Sequence, residues 1–480
     1  MADQCTMRLM RELSALERSD QLGEPNSDNP HHEVSLSAPL IVTAMTVHYK
    51  EENVREISAL LLGPPGTPYA LGFYEFTFSV PSDYPASPPT VLIRTTNQGK
   101  TRFGPNLYAM GKVCLSILGT WHASHGEEWS AAQGLESVLL SIQSLLSATP
   151  YFNEPGYEDH NKESDRQYIE LYNSKIRHEN LRLAVIQPLE EALGLIAPKS
   201  MSYCHRLKHS QMAKSKTLET PEGSESERQP GHHAKITETG PFDDFRKQRF
   251  LWYLEQYEEA VQYGVEKEAS RHGTRFPCVS FESGGNAMNG EWNYPDLQKR
   301  MNVLETKILE ETYAWPAEGK RLAEEDAGIA VSLRAQHEQI VSGLARRADS
   351  IVDLTLEHDN PFLWKLVYFG RPMTQYDGGI LKIKIYISPR HPDEQPRVFV
   401  ETPLFHVRVS TRNVLIYLPA RAEEMNRHID GIISSIEEDS PPYNPLMTVN
   451  QEATKLFWGS KDEQKRYHRK LRRSVEESVA

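Results

Sequence analysis

The sequence predicts an α+β fold that occurs twice in one chain. Three observations carry this reading. Period-two hydrophobicity runs from about Pro39 to Thr95 between segments of helical period, Gly and Pro clusters punctuate it, and the pattern returns 307 residues later. The first element is an amphipathic helix over residues 4 to 18, with Met7, Met10, Leu13 and Leu16 as its expected apolar stripe and Arg8, Arg11 and Arg18 elsewhere. In FYEFTFSV, Tyr74, Phe76, Phe78 and Val80 share one strand face, while Glu75, Thr77 and Ser79 share the other. The flanks GPPGTPYALG and PSDYPASPP are turn-rich, as in antiparallel meanders. Helical spacing resumes at Leu135, Val138, Leu139, Ile142, Leu145 and Leu146, with Ser130 as the expected N-cap. A further helix is expected from about Asp165, interrupted near Pro188.

Residues 199 to 240 have few apolar side chains and no period, which predicts a flexible linker. Two helical stripes follow, Phe250, Leu254, Tyr257, Val261 and Leu297, Met301, Leu304, Ile308, separated by a Gly/Pro-rich loop around Pro277 to Asn289. They predict a helical insert or docked extension. The repeat then pairs Gly63 with Gly370, Pro65 with Pro372, Thr67 with Thr374, Tyr69 with Tyr376, Gly72 with Gly379, Pro85 with Pro392, Pro89 with Pro396 and Val91 with Val398. Leu381, Ile383, Ile385 and Ile387 keep the strand phase, so the same face is apolar in both copies. A five-residue deletion next brings Phe405 onto Phe103. The expected division is 1–198, a linker at 199–240, a helical extension at 241–318 and the second copy at 319–480.

The composition narrows the function. With 53 basic and 66 acidic residues in 480, the formal charge is −13, and the chain has no general attraction for phosphate backbones or anionic lipid. Nucleic acid and membrane are therefore not expected partners. Four scattered cysteines (Cys5, Cys114, Cys204, Cys278) form neither a disulfide framework nor a metal spacing, which predicts a reducing compartment. No apolar run approaches 18 residues and the N-terminus lacks a signal-like core, so a cytoplasmic or nuclear location is expected.

Chemistry is expected where the copies diverge. RFGPNLYAMGKVCLSILGTW in the first faces LFHVRVSTRNVLIYLP in the second, so Ile416 stands at Cys114, Arg408 at Asn106 and Val407 at Pro105. The residues alone leave two readings. Either the first copy performs thiol chemistry that the second has lost, or Cys114 is a small buried hydrophobe that Ile416 replaces.

Residues 6 to 180 resemble the catalytic core of E2 ubiquitin-conjugating enzymes. The resemblance rests on a basic first helix, GPxxTPYxxGF (Gly63 to Phe73), DYPxxPP (Asp83 to Pro89), a PN pair eight residues before a GxxCL cysteine, a Trp-Ser pair and a long helix. GKVCLSILGTW, SVLLSIQSLL, YFNEPGYE and IRHENLRLAV strengthen it, and a fainter likeness continues over 242 to 312. It implies a four-stranded antiparallel meander with helices at its ends and back. Residues 350 to 476 resemble a degenerate, cysteine-less copy, which in this family implies a ubiquitin- or partner-binding variant; a brace against the first copy is the alternative.

The resemblance also implies a mechanism. Cys114 takes ubiquitin or a ubiquitin-like modifier as a thioester from an activating enzyme and passes it to a lysine amine, with no metal or nucleotide held by this chain. Asn106 is the expected oxyanion donor or loop-holding amide, and Glu154, with Asn153 as a weaker candidate, the acidic residue that receives the lysine. Arg8 and Arg11 match positions that meet the activating enzyme. Gly104 stands where most members have histidine, HASHGEE lengthens the loop between Trp121 and Trp129, and Ala86 replaces the bulky anchor used by RING-type ligases, so ligase binding there is expected to be weak. The competing function is a non-catalytic ubiquitin-binding scaffold in which Cys114 is incidental. The basic cluster Lys461, Lys465, Arg466, Arg469, Lys470, Arg472 and Arg473 is expected to bind ubiquitin, to dock on the acidic segment Glu255 to Glu268, or to be solvated.

Overall fold

The computed structural model describes residues 4–21, 44–121, 126–158, 163–197, 240–283, 287–346 and 351–479. The expected linker 199–240, apart from Gly240, and residues 122–125 of the HASHGEE segment lie outside them. Helix α1 (Gln4–Gln21) packs on strands β1 (Met45–Lys50), β2 (Asn53–Leu62), β3 (Phe73–Ser79) and β4 (Thr90–Ile93), an antiparallel sheet in chain order. The buried stripe of α1 is Cys5, Leu9, Leu13 and Leu16; Met7 and Met10, expected in it, are 47% and 38% exposed. Both stripes contain Leu13 and Leu16. The face is decided by packing, with Cys5 and Leu9 seated on the first core and the Cys5 thiol donating to Pro81 O at 3.6 Å.

Helix α2 (Leu135–Leu145) begins after Gly134, so Ser130 is not its cap. Its first free N–H, at Leu135, donates instead to the Glu12 carboxylate of α1 at 3.0 Å, which also accepts from the Tyr84 hydroxyl at 2.6 Å. Helix α3 (Glu163–Glu179) runs without a gap through a π-helical stretch, Asn180–Ile186, into α4 (Gln187–Ala192). The expected break near Pro188 thus comes earlier, at Asn180. That amide reaches into the β2–β3 turn, donating to Ala70 O at 2.9 Å and accepting from Tyr74 OH at 2.7 Å. Pro188 follows that stretch directly, at the start of α4.

Helices α5 (Asp243–Lys267) and α6 (Tyr294–Glu325) bury the stripes read from the sequence, but the expected boundary at 318/319 falls inside α6. A further helix, α7 (Gly328–Ala345), leads into a second antiparallel sheet of β5 (Val352–Leu356), β6 (Leu363–Phe369), β7 (Ile380–Tyr386) and β8 (Arg397–Val400), again in chain order. Helix α8 (Met425–Glu437) follows. The expected C-terminal helix through Ala453, Phe457 and Tyr467 is two, α9 (Gln451–Phe457) and α10 (Lys461–Glu477), because Ser460 forms a reciprocal cap with Glu463.

The two sheets share one register. Met45↔Leu61, Ala59↔Phe76 and Phe76↔Ile93 in the first recur as Val352↔Tyr368, Leu366↔Ile383 and Ile383↔Val400, each displaced by 307. The turns match too. Gly63 N donates to Gly72 O and Gly370 N to Gly379 O, both at 2.9 Å, and a Cβ on either first glycine would fall within 1.7 Å of a tyrosine carbonyl. Helix α5 lies between the two sheets. Leu60, Leu62 and Phe73 of the first sheet share one apolar cluster with Phe250, Tyr253 and Tyr257 of α5 and with Phe399 of the second sheet and Val414 and Ile416 of the loop after it. The basic residues of α10 do not dock on α5. Lys465, Arg472 and Arg473 pair within their own helix and Lys470 pairs with Glu452, all in exposed positions.

Candidate functional site

The loop after β4 folds back on itself to present Cys114. Bridges at Leu92↔Lys112 and Leu107↔Val113 align its two limbs, and Gly111, at φ 95°, makes the reversal between them. Asn106 and Cys114 then hold each other. Cys114 N donates to Asn106 O at 2.9 Å, and the Asn106 amide Nδ2 donates to Cys114 O at 3.1 Å. Asn106 therefore acts on the loop backbone, while its Oδ1 is buried without a partner. Beyond the cysteine one 3-10 turn (Ser116–Leu118) ends at Gly119, and the Thr120 hydroxyl donates to Val113 O at 2.7 Å and accepts from Leu115 N at 3.0 Å.

Three residues absent from the sequence reading surround the thiol. Arg102, 3% exposed at its side chain, donates to Gly104 O at 3.1 Å, Pro105 O at 2.8 Å and Glu154 Oε2 at 3.0 Å. It holds the carbonyls of the loop that carries Gly104. A Cβ at Gly104 would already lie 3.2 Å from the Tyr69 hydroxyl, which donates to Phe103 O at 2.6 Å. The Arg102 guanidinium stacks on Tyr108 at 4.9 Å, and Tyr108 lies within electrostatic reach of the Cys114 thiol. Lys112 is the third. Displaced by 302 residues, their places are taken by Leu404, Ser410 and Val414.

Cys114 itself is only 1% exposed. Burial pushes its thiol above the usual cysteine range; the Lys112 cation, the Tyr108 hydrogen bond and the Arg102 cation offset part of that rise. Glu154 follows the short turn Pro150–Asn153, so Asn153 sits at the end of that turn and Glu154 at its exit, within electrostatic reach of Tyr108. The structure thus gathers Cys114, Asn106 and Glu154 around Arg102 and Tyr108. Chemically this is a thiol beside a cation-lined, partly buried hydrogen-bonding wall, an arrangement suited to carrying an acyl group.

The other expected positions lie apart. Arg8 pairs with Glu12 and reaches Gln133 O at 3.5 Å, so it helps seat α1, whereas Arg11 is exposed. Ala86 is exposed beside Trp129, whose indole N–H donates to Pro85 O at 2.8 Å. Among the described residues no group of three or more His, Cys, Asp or Glu is placed to hold a metal ion, and no helix is long and apolar enough to cross a membrane.

The family model "Ubiquitin-conjugating enzyme" matches residues 31–179. The chain is 41% identical over 189 residues to ubiquitin-conjugating enzyme E2 Z of Xenopus tropicalis, covering 39% of this chain and 52% of that protein. Against E2 Z of Homo sapiens the identity is again 41% over 189 residues, covering 39% and 46%. It is 43% identical over 160 residues to the dual E2 ubiquitin-conjugating enzyme/E3 ubiquitin-protein ligase BIRC6 of Homo sapiens, covering 32% of this chain and 3% of that protein. The chain spans about half the length of the E2 Z relatives that it matches.

Proposed function

Because residues 31–179 are a ubiquitin-conjugating enzyme segment by that match, we propose that this chain accepts ubiquitin or a ubiquitin-like modifier as a thioester on Cys114 and transfers it to lysine amines. The observation that supports this most is the reciprocal Asn106–Cys114 clamp with Arg102, Tyr108 and Glu154 beside it. In the first step the Cys114 thiolate attacks the activating enzyme's thioester and that enzyme's thiolate leaves. In the second, the lysine nitrogen bonds the carbonyl carbon, the carbon–sulfur bond breaks, Cys114 departs as thiolate, and the amine gives up one proton. ATP is spent by the activating enzyme, so no cofactor of this chain's own is required. Glu154 receives the lysine in this reading, and Arg8 and Arg11 of α1 face the activating enzyme.

The first domain is 1–198 and 199–240 the linker. With α6 running to Glu325, the helical extension ends there and the second domain starts at α7. We read that second domain as a cysteine-less copy of the first. Its support is the shared register and His406, which stands at the place of Gly104, where the family has histidine. Its partner is the chain itself, through α5, which makes it a brace. Free cysteines fit a reducing compartment, cytosol or nucleus. The burial of Cys114 favours the second reading, a non-catalytic ubiquitin-binding scaffold.

One assay separates the two. Incubated with activating enzyme, ATP and modifier, the chain is expected to form a reductant-sensitive adduct that is absent in Cys114→Ala. No adduct with any activating enzyme or modifier tried would count against the conjugating reading.

A further inference from the structure

The strap between α5 and α6 reaches the acceptor side of the thiol from outside the matched residues. Phe281 is its tip. Its ring lies 5.1 Å from Tyr151, 5.4 Å from Tyr157 and 5.2 Å from Tyr172, and 5.8 Å from the Arg102 guanidinium. Tyr151 and Tyr157 bracket Glu154, whose N–H donates to Tyr151 O at 3.5 Å and whose carbonyl accepts from Tyr157 N at 3.0 Å. Phe281 therefore touches both ends of the turn that carries Glu154 and the arginine that pairs with it.

The strap is fastened firmly at this point. Lys175 of α3 and Glu282 form an ion pair with side chains 0% and 1% exposed. Lys175 also donates to Pro277 O at 3.1 Å, and the Glu282 carboxylate accepts from Val279 N at 2.9 Å and Met288 N at 3.0 Å. A buried pair contributes little net stability compared with apolar packing, but satisfied in this way it specifies one geometry. Tyr151 and Ser280 share a hydroxyl hydrogen bond at 3.1 Å, and Asn289 N donates to Lys100 O at 3.3 Å.

We propose that Phe281 is a positioning residue for transfer: held by the Lys175–Glu282 pair, it sets the Arg102–Glu154 pair where an incoming lysine meets the thioester. The proposal rests on the conjugating function above. A lysine amine arrives protonated, near pKa 10.4, and needs an aligned acceptor, whereas charging of Cys114 involves no amine. Misplacing such a group by about an ångström costs up to about 10²-fold.

The test uses the full chain charged by activating enzyme and ATP, then chased with free lysine or with hydroxylamine, which attacks without needing deprotonation at neutral pH. Phe281→Ala is expected to charge and to discharge to hydroxylamine at the wild-type rate, but to discharge to lysine about tenfold more slowly, with the lysine pH profile moved upward. Phe281→Tyr, which keeps the ring, restores lysine discharge. Equal lysine rates in Phe281→Ala and wild type overturn the proposal, as does an equal fall with both nucleophiles. If Phe281→Ala yields no soluble protein, Phe281→Leu carries the same comparison. A wild-type chain that never charges overturns the conjugating reading itself, an outcome distinct from charging with unaltered lysine discharge.

Discussion

The loop around Cys114 and the loop around Ile416 have the same backbone under different covers. Cys114 N donates to Asn106 O, and Ile416 N to Arg408 O, both at 2.9 Å. Tyr108 N meets Lys112 O, and Ser410 N meets Val414 O, both at 3.0 Å; the turn residue with positive φ is Gly111 in one and Asn413 in the other. What differs is what faces them. Cys114 has Arg102, Tyr108 and Lys112, while Ile416 shares an apolar cluster with Val449, Leu446 and α5. Tyr253 OH donates to Leu446 O at 2.8 Å, Gln256 to Thr448 O at 3.1 Å, Glu255 accepts from Thr411, and Arg412 pairs with Glu258 and Glu305. The face that offers a thiol beside the first sheet is a docking face beside the second. The main-chain bonds are common to both loops, whereas the side chains that surround Cys114 belong to the first alone.

That comparison is broken most decisively by moving the thiol. Ile416→Cys is expected to form no adduct with a charged activating enzyme when Cys114 is alanine, since Arg408 and Val407 leave the second loop without its amide and α5 covers it. A robust reductant-sensitive band on this double variant would show that backbone alone suffices. Next in size is stability. Ile416→Ala opens a cavity at the interface with α5 and is expected to cost about 2–5 kcal/mol in urea unfolding, whereas Cys114→Ala, which removes one atom, costs less. Equal losses would mean that the two loops are covered alike. The smallest effect is on pH. With the Cys114 thiol raised above its ordinary value, thiolate is scarce at pH 7 and gains about tenfold per pH unit. Iodoacetamide labelling of Cys114, followed by mass spectrometry, should therefore still be climbing at pH 8.5, and be slower at each pH in Lys112→Ala. A plateau below pH 8 would show the cations outweighing burial.

Much of this was legible in the sequence, for a physical reason. Strand phase has period two, and Gly63 and Gly370 tolerate no Cβ, so the register at 307 is visible in residue types alone. Cys114 and Asn106 were legible because Ile416 and Arg408 stand at their places 302 residues later. Arg102 was not, because its meaning depends on Glu154, 52 positions away. The strap read as a Gly/Pro-rich loop because the Lys175–Glu282 pair spans 107 positions. Helix α7 went unread since only Leu333 of it is buried, leaving little apolar period. The α1 stripe was misread because Met7 and Met10 fit the helical period as well as Cys5 and Leu9 do; only the sheet chooses between them.

Helix α5 also sets an order of events during synthesis. Its first-copy side can settle on Leu60, Leu62 and Phe73 as soon as it leaves the ribosome, but Leu446 and Val449 are not yet made. At roughly 5–20 residues per second, the nearly 180 residues between the end of α5 and Leu446 take on the order of 10–40 s. For that interval the nascent chain carries an uncovered aromatic flank, including Tyr253, that the finished protein never shows. Translation pauses within the second sheet would lengthen this exposure, making yield from fast or slow codon choices in residues 352–449 a property of the helix that waits for them.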